Sequence, residues 1–281
     1  MPAQEGLVGF VGLSNQGGPL AMRIVRAGFP LRVWARRPEV LDAYVAAGAT
    51  RARSLGELGA ACDRVAVCVT TDADIRAVVL ADDGLLPAMR SGSSLAIHST
   101  AHPDLVREVE AAANERGVAV LDAPVSGGNA GARAGTMAVL VGGDPAVLDR
   151  WVPVMKSYAQ TIELLGPVGS GQITKLINNA LSVANFGASL RAAATAEQLG
   201  LDPMAVLRCL QQSSADSFML RLIATLDDTS TSLAAARYRK DVDLFHNLTR
   251  DGTTRDGAQL AATAEQAVHY LEELATDNDG G

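Results

Sequence analysis

The chain has 281 residues, enough for about two domains at roughly 150 residues each. Hydrophobic residues make up 48% and charged residues 20%, which excludes a disordered chain. With 24 Lys and Arg against 31 Asp and Glu the formal charge is −7, which excludes a general nucleic-acid or anionic-membrane binder and confines any anionic ligand to a locally positive pocket.

The first half alternates short apolar runs with helical patterns. Leu7 to Gly12 predicts a buried strand, and Gly17 to Gly28 a helix that ends at a glycine. Leu31 to Ala35 is a second strand, and Pro38 opens a second helix. Further strands are expected at Val65 to Val69, Leu95 to Ile97, Val118 to Leu121 and Met137 to Val141, with helices from about Ala73 and Pro103. This alternation predicts a mostly parallel sheet covered on both faces. After Gly166-Pro167-Val168-Gly169-Ser170-Gly171 no strand pattern is found. Helices are expected from Gln172 to about Leu199, from Pro203, around Ser232 and from Gly257, followed by a disordered tail from Thr276. The organisation is therefore an α/β domain over residues 1–165 and an all-α domain over 166–281.

No stretch reaches the ~18 apolar residues of a membrane span. Met1 to Leu7 carries Glu5 and no basic region, so a cytoplasmic protein without a signal peptide is expected. Cys62, Cys68 and Cys209 are too few and too scattered for a disulfide framework or a zinc site and read as small core residues; no metal is expected.

Gly12-Leu13-Ser14-Asn15-Gln16-Gly17 follows a strand and opens a helix, the context of a dinucleotide fingerprint with Ser14 in place of its middle glycine. Gly12 allows the tight turn, Gly17 allows close helix–strand packing, and the N–H groups of the helix start receive phosphates. The acid that binds the ribose of NAD at the end of the second strand is missing. Arg36 and Arg37 stand there instead, and guanidinium forks match a 2′-phosphate, which points to NADP, with NAD possible. In Asp122-Ala123-Pro124-Val125-Ser126-Gly127-Gly128, the Ser126 hydroxyl and the glycine N–H groups suit a small carboxylate.

On the long helix, Ile173, Leu176, Ile177, Ala180, Leu181, Ala184 and Ala188 follow one apolar stripe. Lys175 and Asn179, four apart, are expected opposite it. Lys175 is the sole ionisable side chain between Leu164 and Leu190, so the helix needs cover on most sides, which predicts a homodimer or larger assembly. A protonated lysine donates a proton to a developing alkoxide and its neutral form takes one back. Lys240-Asp241, judged alone, reads as a surface pair.

Four segments, Gly9 to Ala21, Asp122 to Gly128, Gly169 to Asn179 and Lys240-Asp241, occur in the order in which similar ones occur in the β-hydroxyacid dehydrogenases. The chain resembles this family, that of 3-hydroxyisobutyrate dehydrogenase and tartronate semialdehyde reductase, over nearly its whole length. The resemblance implies a Rossmann-type doubly wound domain followed by an all-helical domain that usually dimerises. It implies reversible hydride transfer between NAD or NADP and a short 3-hydroxy acid or its semialdehyde or keto partner. The family's catalytic lysine falls on Lys175 and its substrate-binding asparagine on Asn179. Its substrate loop falls on Ser126, Gly127 and Gly128, and its cofactor contacts on Val69, Thr70, Thr100 and Lys240.

The sequence departs from the family at Ser14 and at His98, where an acidic residue is common; His98 is expected to be a satisfied strand-end histidine. Two alternatives stay open. One is an imine reductase-like NADPH enzyme, a branch in which the position of Lys175 usually holds another residue. The other is a non-catalytic dinucleotide-binding protein.

Overall fold

The structure, a computed structural model, describes residues 6–223, 228–250 and 254–278, with side chains throughout these except at 228–237 and 275–278. Residues 1–5 of the N-terminal segment in which no signal peptide is expected, and the last three residues of the tail, lie outside the described residues. The chain forms two compact units, Met1–Lys175 and Leu176–Gly281.

The first unit is built on a twisted sheet. Strands β1 (Val8–Val11), β2 (Leu31–Trp34), β3 (Thr50–Arg51), β4 (Arg64–Val67), β5 (Ser94–Ile97) and β6 (Ala119–Asp122) run parallel in the order β3-β2-β1-β4-β5-β6. This is the doubly wound order expected of a Rossmann-type domain. β7 (Val125–Ser126) and the last residue of β6 pair antiparallel with β8 (Met137–Gly142), and β9 (Ala159–Gly166) closes the sheet parallel to β8.

Alternate strand residues feed two cores, as a sheet buried on both faces requires. On one face Val8, Phe10, Ala66, Ala96 and Leu121 pack against α1 (Gly17–Arg26) and α7 (Pro145–Met155). On the other, Val65, Val67, Leu95 and Ile97 pack against α3 (Leu55–Ala61), α4 (Asp72–Ile75) and α5 (Pro103–Asn114), while α2 (Asp42–Ala46) and α6 (Gly128–Ala134) send Tyr44 and Ala132 into the first core. Pro38 opens a 3₁₀ turn that leads into α2, and a π-type turn, Arg76–Leu80, extends α4. Cys62 and Cys68 lie in these cores, where burial pushes both thiols up to about 12; Cys209 departs from the expectation and is exposed.

α8 (Ser170–Gln198) carries the chain from the first unit into the second. There it is joined by α9 (Pro203–Leu210), α10 (Phe218–Ile223), α11 (Asp228–Thr249) and α12 (Arg255–Asn278). The core of this unit sets Leu176, Ala180, Val183 and Phe186 of α8 against Val242 and Phe245 of α11 and Ala264, Val268 and Leu271 of α12. Gly187 lets α8 and α12 pack closely, since a Cβ there would lie 2.4 Å from the Cβ of Ala267. Arg239 of α11 is held by Glu265 and Glu272 of α12, bidentately in the case of Glu272. The expected tail does not begin at Thr276: α12 continues to Asn278, prolonging turns that Val268 and Leu271 anchor in the core. Among the described residues no helix is long and apolar enough to cross a membrane.

The expected facing of α8 is corrected. Its buried apolar stripe is Leu176, Ala180, Val183 and Phe186, while Ile177 and Leu181 are 44% and 51% exposed. Lys175 and Asn179 therefore lie within the buried face instead of opposite it, at 8% and 9% exposure. Apolar residues surround this helix, so their periodicity does not fix which way it faces.

Candidate active site

The glycine loop between β1 and α1 is set by backbone contact. Gly12 has φ +95°, and a Cβ there would sit 2.1 Å from the carbonyl oxygen of Cys68 at the end of β4. A Cβ on Gly17 would sit 2.0 Å from the carbonyl oxygen of Gly12. Only glycine fits either position. Ser14 is exposed and, among the described residues, no non-glycine residue has positive φ, so its Cβ adds no backbone strain. The Ser14 carbonyl accepts from the N–H of Gly18 at 2.9 Å.

A cavity of about 260 Å³ opens where β1 and β4 part, the switch point of the sheet. Gly12, Leu13 and Ser14 line it from the loop after β1, Arg36 and Arg37 from the loop after β2, and Val69 and Thr70 from the loop after β4. Asn15, Gln16, Thr100, Ser126, Gly127, Gly128, Lys175, Asn179 and Lys240 are not among its lining residues. Arg36 reaches Asp74 in the same cavity, with Nη2 3.5 Å from Oδ1, and its side chain is 82% exposed. Arg37 is exposed. The N–H of Val69 donates to Ser99 Oγ at 2.8 Å, tying the loop after β4 to the loop after β5.

A second set of contacts fixes the start of α8. Asp122, fully buried at the end of β6, accepts from the N–H of Gly169 through Oδ1 at 2.8 Å and from the N–H of Gln172 through Oδ2 at 2.7 Å. Burial raises its pKa, and these backbone donors pull it back. The carboxylate thus satisfies donors of a helix start and sits at the favourable end of its dipole. Buried Gln172 accepts from the N–H of Ala101 at 3.0 Å and donates to the carbonyl of Ser99 at 2.9 Å, clasping the residues on either side of Thr100. Lys175 follows Gln172 by three residues on the same face. The loop after Asp122 leads to Ser126, at the end of β7, and then to Gly127 and Gly128, which take φ +133° and +64°. Open space surrounds the Cβ direction of Gly128, so its backbone angle rather than crowding requires glycine.

In the second unit, Asn179 donates from Nδ2 to Oδ2 of Asp241 at 2.7 Å. Asp241 is 9% exposed and Lys240 is half-buried, which corrects the reading of this couple as a surface pair. Sequence reasoning singled out Asp241 only as part of the Lys240-Asp241 couple and gave neither it nor Gln172 a role in the site. The available signal was Gln172, Lys175 and Asn179 themselves, polar residues at i, i+3 and i+7 on an otherwise apolar helix.

His98 is 2% exposed. Its Nδ1 donates to the carbonyl of Ala123 at 2.6 Å and its Nε2 accepts from the Tyr158 hydroxyl at 3.0 Å, since the carbonyl fixes the tautomer. Burial pushes its pKa down to about 4. It braces the strand end that precedes the Ser126 loop.

Residues 7–166 match the family described as the NAD binding domain of 6-phosphogluconate dehydrogenase, and residues 169–280 match the family described as NAD-binding of NADP-dependent 3-hydroxyisobutyrate dehydrogenase. The chain is 32% identical over 258 residues to the NAD-dependent L-serine dehydrogenase of Pseudomonas aeruginosa, covering 92% of this chain and 87% of that one. It is 34% identical over 215 residues to the 3-hydroxyisobutyrate dehydrogenase of the same organism, covering 76% and 72%. The solved structure of Mycobacterium tuberculosis 3-hydroxyisobutyrate dehydrogenase with L-serine superposes with a TM-score of 0.82 at 29% identity, over 97% of this chain and 94% of that one. These matches span both units. The chain belongs to the β-hydroxyacid dehydrogenase family and is an NAD(P)-dependent oxidoreductase acting on a CH–OH group.

Proposed function

We propose that the protein transfers hydride reversibly between NADP and a short 3-hydroxy acid or its semialdehyde or keto partner. The observation that carries this reading is Lys175, a buried lysine on a helix whose start is tied by Asp122 and Gln172 to the Ser126 and Thr100 loops. Ser126, Gly127 and Gly128 take the substrate carboxylate. Lys175 relays the hydroxyl proton, and Asn179, one turn further on the same helix, orients the substrate while Asp241 holds its amide. The glycine loop from Gly12 to Gly17, with Val69, Thr70, Thr100 and Lys240, holds the coenzyme, which supplies the hydride chemistry when bound. The fit rests on the Cβ-excluding cradle at Gly12 and Gly17. Arg36 and Arg37, where the ribose-binding acid of an NAD enzyme is expected, support the preference for NADP. Exposed Ile177, Leu181, Leu199, Leu201, Met204 and Phe218 of the second unit support a homodimer or larger assembly.

The test is a coenzyme-linked screen of short 3-hydroxy acids, L-serine, semialdehydes and a cyclic imine, run in both directions with NAD and NADP. Turnover of a 3-hydroxy acid couple with higher kcat/KM for NADP is expected. Turnover of the imine alone overturns the substrate class, and equal or better use of NAD overturns the coenzyme preference.

A further inference from the structure

A second hollow, about 940 Å³, runs along the outer face of α1. The helix buries Leu20, Ala21, Ile24 and Val25 against the sheet and turns Pro19, Met22, Arg23 and Arg26 outward, so this floor follows from its periodicity. The cationic residues lining the groove are Arg23, Arg26, Arg37, Arg133 and Lys156, and no Asp or Glu lines it. Among the described residues none of these five makes an ion pair. Elsewhere in the same unit Arg32, Arg36, Arg51, Arg53, Arg76, Arg90 and Arg107 each have a carboxylate partner, while Arg116 and Arg150 donate to backbone carbonyls. A chain of net charge −7 has carboxylates to spare, yet this concavity has none.

Two of the cations are held in place. Arg23 donates through Nε to the carbonyl of Ser157 at 2.6 Å and through Nη1 to the carbonyl of Arg133 at 3.2 Å. Arg133 donates through Nε to Oδ1 of Asn129 at 2.8 Å. Gathering like charges in a concave wall is unfavourable in the empty groove and favourable once an anion fills it. The ten-residue helix gives the floor a length of roughly 15 Å, too long for one carboxylate to meet all five cations.

We propose that this groove binds a small ligand carrying several phosphate charges, distinct from the coenzyme. Guanidinium forks suit phosphate oxygens, and the volume is that of a small-molecule site. Leu13, Ser14 and Arg37 line both this groove and the coenzyme cavity, so the ligand would lie beside the bound coenzyme.

Isothermal titration tests it, with tripolyphosphate and a hexose bisphosphate as probes, run with and without saturating NAD⁺ or NADP⁺. The two probes separate a polyphosphate chain from a phosphate ester. The proteins are wild type, the groove variant Arg26→Ser/Lys156→Ser and a charge-matched control, Arg53→Ser/Arg116→Ser, whose residues do not line the groove. We expect saturable binding of one probe with coenzyme present, at least about tenfold weaker in the groove variant and unchanged in the control. Circular dichroism and melting confirm that each variant is folded. Three results overturn the proposal: no saturable binding of either probe, equal weakening in the control, or binding that coenzyme abolishes.

Discussion

The two units hold their candidate functional groups by different means. In the first, much of the work is done by backbone: Gly12 and Gly17 exclude any Cβ, Asp122 grips the N–H groups of Gly169 and Gln172 around the start of α8, and Gln172 clasps the residues around Thr100. In the second, an asparagine side chain is held by an aspartate side chain from another helix, Asn179 by Asp241. Backbone positions are shared by everything packed on them, so disturbing them perturbs a whole loop. A side-chain pair can be cut with the helices left standing. The comparison therefore predicts steep losses for changes in the first unit and graded, kinetic losses for changes in the second.

The largest effect is expected at Lys175, the last residue of the first unit. Lys175→Ala should lower kcat about 10²–10⁴-fold, the usual contribution of a general acid–base group. NADPH binding, followed by fluorescence, should persist, because Lys175 does not line the cavity at the switch point proposed for the coenzyme. Near-normal turnover on the true substrate would assign this lysine a structural role instead.

A second break tests the packing behind the Ser126 loop through pH. His98 is neutral in the folded protein, with its pKa lowered by burial to about 4, against about 6.5 when unfolded. Between those values the unfolded state binds a proton that the folded state refuses, so stability rises with pH across that window. Its contribution is complete above about pH 6.5 and falls by about 2 kcal/mol as pH drops to 5. Urea unfolding at the two pH values should show this loss in the wild type and a shallower dependence in His98→Gln, whose amide does not titrate. An unchanged slope in the variant would assign the acid sensitivity to other groups.

The second unit should respond more gently. Asp241→Ala leaves the Asn179 amide without its acceptor, a cost of about 1–3 kcal/mol for a buried donor. If Asn179 orients substrate, KM should rise more than kcat falls, and Asp241→Asn, which keeps a carbonyl acceptor, should recover part of the loss. A uniform fall in folded protein with unchanged KM in the folded fraction would make the pair purely structural.

What the sequence disclosed follows the same division. β1, β2, β4, β5 and β6 are apolar runs between turn signals, and the glycine loop is legible because glycine at those positions is a statement about backbone. β9 went unread: as an edge strand it alternates, with Gln160, Thr161 and Glu163 exposed. α7 was signalled by its Asp144 cap and Pro145 but is obscured by Pro153 within it. The facing of α8 was misjudged because Ile173, Ile177 and Leu181 fit a helical period as well as the buried set does. The partners of Gln172 and Asn179 lie 71 and 62 residues away, for the N–H of Ala101 and for Asp241. No local pattern carries such a pairing, since only tertiary packing creates it.

The smallest expected effect lies at the point where the first unit itself depends on a loosely held side chain. Arg36 is 82% exposed and 3.5 Å from Asp74, an ion pair of the kind worth about 0–1 kcal/mol, so a 2′-phosphate can draw it away at little cost. A charge-assisted bond to that phosphate contributes about 1.5–3 kcal/mol. Arg36→Ala should thus reduce kcat/KM for NADP about tenfold and alter that for NAD less than about twofold. Asp74→Asn should shift the ratio the other way. It removes the charge that competes for Arg36 while its remaining carbonyl can still accept from Thr71, whose N–H and hydroxyl donate to Asp74 Oδ2 at 3.1 and 2.8 Å. Because that carbonyl keeps the cap of α4, any change in coenzyme ratio belongs to the charge and not to a frayed helix. Equal losses for both coenzymes in Arg36→Ala would mean that this arginine packs on the adenosine half common to NAD and NADP, and the discrimination would then fall to Arg37 alone.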